Sequence, residues 1–340
     1  ASEQQSTRGG NMAEQTERAF EGEPAAHQGV KTDVAAQERK GVHPAWGMPV
    51  GPLAVGLGLL PWLLTGARLP LQNLWVGGGQ EVFAFLPLSQ YSLTAVVAFS
   101  VVPGLFAALA WGLLWAGSPG GKSARQAISV FMGIVQIIVA LQSISVLASG
   151  HDVGGAGARA GYATFYVTAL TAWTVAGAVL GQLVFWLAAR TAVGPRAVGL
   201  ILAVLPLTWW FQSWMGLLPL AEFSQSPWLQ WLSRWMPALV LGAALGFIGW
   251  RPARLRWAWV AGAVLVWFGE AAAFALAYVA GTRNMLYNPQ EAAAAGLQAF
   301  QAMLGPAGVS LSQALLGLAI GGLLALVLSL ARRRRQAPLA

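Results

Sequence analysis

After His43 the chain runs eight times for about 20 residues with almost no charged side chain. Wound as a helix, such a run crosses the ~30 Å of bilayer hydrocarbon. A helix is also one of the few structures that bonds every backbone N–H and C=O internally there. The runs are 46–64, 92–115, 127–148, 164–187, 197–216, 237–250, 257–280 and 308–331; the sixth is short unless it starts a few residues earlier. The expected fold class is an all-α integral membrane protein, a bundle of about eight transmembrane helices with short interfacial helices in outer loops. Composition agrees, with 56% hydrophobic and 9% charged residues, whereas soluble domains carry about 25% charged.

Three regions follow. Residues 1–43 have few large apolar side chains and mixed charge, which reads as a disordered cytoplasmic tail. It has no basic stretch followed by an apolar core, so the first span is expected to direct insertion. Residues 44–332 form the polytopic transmembrane domain, and 333–340 a basic cytoplasmic tail.

Orientation comes from Arg and Lys counted by side. With the N-terminus inside, thirteen basic groups are inside: Arg39, Lys40, Lys122, Arg125, Arg190, Arg196, Arg251, Arg254, Arg256 and Arg332 to Arg335. Four lie outside: Arg68, Arg159, Arg234 and Arg283. Positive charge stays inside, so both termini are expected in the cytoplasm of a plasma membrane. The net charge of +8 then serves topology and anionic lipid, not nucleic acid. Seventeen Arg against three Lys, with abundant Ala and Gly, suggest a GC-rich bacterial genome.

Cysteine is absent and the three histidines (His27, His43, His151) lie outside the apolar runs, so no metal, cofactor or thiol chemistry is expected. Two outer segments read as interfacial helices. In YNPQEAAAAGLQAFQAMLGP, Asn288 caps, Pro289 opens and Glu291 completes the start, with Leu297, Phe300 and Leu304 on one face. SPWLQWLSRWMP carries Trp228, Trp231 and Trp235, suited to the headgroup layer.

Gly177 with Gly181, Gly242 with Gly246, and Gly317 with Gly321 each form GxxxG, which lets helices approach closely. They predict helix packing, and an oligomer contact through the same faces. The likeness of GAVLGQLVFWLAAR (177–190) to GLAIGGLLALVLSLAR (317–332) would fit a four-plus-four duplication, but reads more simply as low-complexity coincidence. Pro61, Pro103 and Pro206 lie within spans and are expected to kink them.

One residue breaks the apolar rule. Glu270 lies about 2–3 Å from the centre of its span. A charge there costs about 2.5–3.5 kcal/mol, and protonating a glutamate at neutral pH about 3.7 kcal/mol, so a partner decides its state. No span contains a cation. The candidate polar partners are Gln136, Gln142, Gln182, Gln212 and Gln313, with Ala263, Ala273 and Ala277 beside Glu270 on a small-residue face between Trp267 and Phe274. Glu270 is therefore expected to be a protonated interhelical hydrogen bonder, or the proton- or cation-binding group of a transporter.

No P-loop, HExxH, GxSxG or paired-Asp signature is present, so no residue is assigned as catalytic. The leading reading is a transporter or permease-like protein. A non-enzymatic scaffold or regulatory subunit is the alternative; a lipid-modifying enzyme using Glu81, His151 or Asp152 comes last.

Overall fold

The computed structural model describes residues 43–70, 81–151, 153, 155, 157–215, 226–250, 253–282, 288–305 and 308–336. The tail through residue 42, Asp152 and Glu222 lie outside them. The chain is a multi-pass membrane protein, with eight helices among the described residues long and apolar enough to cross a bilayer.

The spans are α1 (Gly47–Leu64), α2 (Leu93–Leu114), α3 (Gly121–Ser149), α4 (Ala158–Ala188), α5 with α6 (Val193–Leu202 and Val204–Met215), α7 (Pro227–Ile248), α8 (Arg256–Gly281) and α10 (Ser310–Gln336). Between α8 and α10 lies the non-spanning helix α9 (Pro289–Leu304). The run Arg332 to Arg335 belongs to α10, which continues beyond the apolar stretch.

One expectation is corrected. The tryptophan-rich segment is not a separate interfacial helix: Ser226 precedes Pro227, and α7 runs through Pro237 without interruption. The other segment is a separate helix, α9, whose packed side is Ala292 and Gly296, the latter against Val279 of α8, while Leu297 is exposed. Small residues seat α9 on the bundle and Leu297 faces away.

The prolines act as chemistry demands. A proline offers no N–H to the carbonyl four residues back, and Pro206 stands where α5 gives way to α6 at Ala203. Elsewhere, carbonyls in the turn before a proline accept from other helices. Trp210 Nε1 donates to Gly58 O before Pro61 (2.9 Å), and Gln136 Nε2 to Ser100 O before Pro103 (2.8 Å). Before Pro237, Gln212 Nε2 donates to Ser233 O (3.2 Å) and Gln313 Nε2 to Arg234 O (2.6 Å).

The spans divide into two sets of four with the same pairing. In the first, α1 and α4 each pack on α2 and α3; in the second, α5–α6 and α10 each pack on α7 and α8. Gly47 meets Ala124 and Gly51 meets Met132, so α1 and α3 run parallel. Gly177 and Gly181 lie on Ser100, and Gly104 on Gly181 and Phe185, so α2 and α4 do too. In the second set Gly262 meets Ile201 and Gly269 meets Leu205, while Gly242 meets Ile320 and Gly246 meets Leu324. All six predicted glycines pack within the chain. Each of them meets a neighbouring helix of its own set. Each set has its own core, and Val101, Leu105, Val184 and Ala203 join the two.

One end of the bundle, the basic face, carries Lys122, Arg125, Arg190 and Arg196. At the opposite end β1 (Arg68–Pro70) and β2 (Glu81–Phe83) pair antiparallel. Gln142 pins this hairpin to α3, accepting from Phe85 N and donating to Phe83 O (both 3.0 Å), and Ser143 Oγ accepts from Leu86 N (2.9 Å).

Candidate functional site

Glu270 lies on α8 next to Gly269, whose lack of a side chain lets Leu205 of α6 come close. From α6 the Trp209 indole reaches its carboxyl. The side chain is partly buried. Its Oε1 is fully buried and has no hydrogen-bond partner among the described residues, and the same is true of Trp267 Nε1 three residues earlier. The packed stripe of α8 is Gly262, Val266, Ala271 and Ala275, so Glu270 stands at its edge, and Phe274 and Ala277 are exposed.

None of the five glutamines hydrogen-bonds Glu270 among the described residues. Gln212 and Gln313 satisfy α7 carbonyls, and Gln142 holds the hairpin. Gln136 and Gln182 belong to a network in the first set of helices. Gln182 Nε2 donates to Gln136 Oε1 (3.1 Å), Ser129 Oγ to Gln182 Oε1 (2.9 Å) and Trp186 Nε1 to Ser129 Oγ (2.9 Å). This network closes on itself and binds α2, α3 and α4 together.

Two cavities lie where the sets meet. A groove of about 720 Å³ runs between α2, α5–α6 and α7, lined by apolar residues such as Leu105, Leu207, Phe211 and Ala243, with Arg190 and Arg196 at one end. On the other side of α6 an apolar cavity of about 260 Å³ is bounded by Leu202, Pro206, Trp209 and Leu265. The break in α5–α6 therefore separates the groove from the side on which Trp209 meets Glu270. Neither cavity is lined by Glu270 itself. No family model, curated protein or solved structure matches the chain.

A third cavity, about 350 Å³, opens on the basic face between the α2–α3 and α4–α5 connections, lined by Lys122, Arg125 and Arg190 with Trp111 and Trp115. Arg125 is held over Trp186 (4.8 Å to the ring centroid) and Trp111 (5.9 Å), and its Nε is buried without a hydrogen-bond partner. In the sequence these cations read only as topology anchors. The signal was their clustering next to tryptophans at helix ends.

The residues considered for enzyme chemistry do not converge. Glu81 is exposed and pairs with Arg68 (3.5 Å). His151 Nδ1 is 2.8 Å from Leu147 O, at the end of α3, and its ring lies against Tyr166. Among the described residues no group of three His, Asp or Glu is placed to hold a metal.

Proposed function

We propose that the chain is a transporter or permease-like protein of the plasma membrane, with Glu270 as its proton- or cation-binding group and the basic face in the cytoplasm. The observation that carries this reading is the mid-span carboxyl oxygen that is buried without a partner. An unsatisfied acceptor in hydrocarbon is costly, and binding a proton or cation removes that cost. Its place supports the reading too. Glu270 touches α6 through Trp209, and α6 is half of a broken span bounded by cavities on both sides. Discontinuous helices between paired halves are where transporters place their ion sites.

The test uses purified protein in vesicles that hold a trapped pH dye, under an imposed inside-negative potential. Wild type is expected to acidify the lumen, and Glu270→Gln to fold normally and abolish the flux. Equal flux in both proteins would sink the proton role. A scaffold or regulatory subunit would instead lose co-purifying partners when residues 1–40 are deleted, and be indifferent to Glu270→Gln.

A further inference from the structure

We propose that the apolar groove and the basic pocket beside it form one binding site for an anionic phospholipid. Lys122, Arg125 and Arg190 hold the phosphate, and an acyl chain lies along α2, α6 and α7. The two cavities are neighbours, since Trp111, Arg190 and Thr191 line both. One is basic and the other apolar, so together they match a molecule with an anionic head and a hydrocarbon tail. The groove's volume of about 720 Å³ falls within the ~300–1,000 Å³ usual for ligand cavities.

Its length fits a lipid as well. The lining runs from Leu105 to Ala116 along the α2 end and from Met236 to Phe247 on α7. Each stretch rises about 16 Å, the depth of one leaflet of a ~30 Å core. The groove opens sideways: Leu113 is 85% exposed and Phe247 59%. A lipid can thus enter from the bilayer without crossing the bundle.

Charge selects an anion. No Asp or Glu lines either cavity, and the ion pair among the described residues, Arg68 with Glu81, lies at the other end of the molecule. Three cations share one pocket that no carboxylate lines, and Arg125 is oriented there by two indole rings. A free phosphate would use only the pocket and leave the groove without a role, so the lipid is the occupant that accounts for both. The lipid site does not use the carboxyl of the transport reading: Val204, Leu207 and Phe211 line the groove, while Trp209, on another side of α6, meets Glu270.

The experiment is a lipid titration of the full-length, delipidated protein in detergent, followed by native mass spectrometry. Wild type is expected to bind phosphatidylglycerol more tightly than phosphatidylcholine. The double variant Lys122→Gln, Arg190→Gln should weaken phosphatidylglycerol about thirtyfold and phosphatidylcholine, whose choline offsets its phosphate charge, by much less. Ala243→Trp, which fills the groove and keeps every charge, should remove both lipids; thermal unfolding without lipid confirms that each variant folds. Equal binding of the two lipids by wild type would overturn the proposal, as would phosphatidylglycerol binding that survives Ala243→Trp. Glycerol phosphate binding as tightly as phosphatidylglycerol would assign the pocket to a soluble phosphate and overturn it too.

Discussion

A proline inside a membrane helix leaves a carbonyl without its donor, and no water is at hand to take over. Gln212 does that for Ser233, the residue four before Pro237. The proline therefore sets the value of the glutamine. Gln212→Leu should lower stability by about 1 kcal/mol, within the range for hydrogen bonds between membrane helices. In a Pro237→Ala background Ser233 regains a backbone donor, and the same change should cost close to nothing. A double-mutant cycle on thermal unfolding measures the coupling, and equal costs in both backgrounds would refute it. The sequence shows Glu270 as an ionisable group isolated in an apolar run, and the structure keeps it at a helix contact. Its neighbour Trp209 was not legible. Which residue faces the carboxyl depends on the register of α6 against α8, which Gly269 and Leu205 set across a long separation in the chain.

At the scale of elements, glycines decide which helices touch. A Cβ on Gly104 would meet the Gly181 carbonyl oxygen, whereas one on Gly56 would meet nothing within 4 Å. Gly104→Ala is expected to destabilise by about 1–3 kcal/mol through overpacking. Gly56→Ala should stabilise by up to about 1 kcal/mol, since alanine is the better helix former. Unfolding midpoints in one detergent compare the two, and the same sign for both would contradict this account. The span positions were legible because apolar length is a local property. The junction of the tryptophan-rich segment with α7 was hidden: Pro237 reads as a helix start, but donors from α6 and α10 repair the carbonyls before it. The resemblance between the blocks ending the fourth and eighth spans looked accidental. Yet Gly177 and Gly181 pack on α2 as Gly317 and Gly321 pack on α7, so both blocks do the same work in their own set of helices.

For the whole molecule, the proposed orientation makes a direct prediction. Because the chain has no cysteine, single introduced thiols report on a silent background. Ser123 and Gln298 are exposed at opposite ends of the bundle. In intact cells Gln298→Cys should react with an impermeant maleimide, and Ser123→Cys only after the membrane is opened; the reverse pattern would invert the topology. The hairpin after α1 bears on how such a molecule is made. Its anchors, Gln142 and Ser143, follow Phe85 and Leu86 by 57 residues. At about 5–20 residues per second the ribosome needs roughly 3–11 s to synthesise them. During that interval the segment after β2 has α1 to hold it, through Trp62 Nε1 on Ala84 O (2.8 Å), and its bonds to α3 form only once the third span has been made. The fastening of this face to α3 is therefore timed by translation, and a pause between α2 and α3 would lengthen the time the hairpin rests on α1 alone.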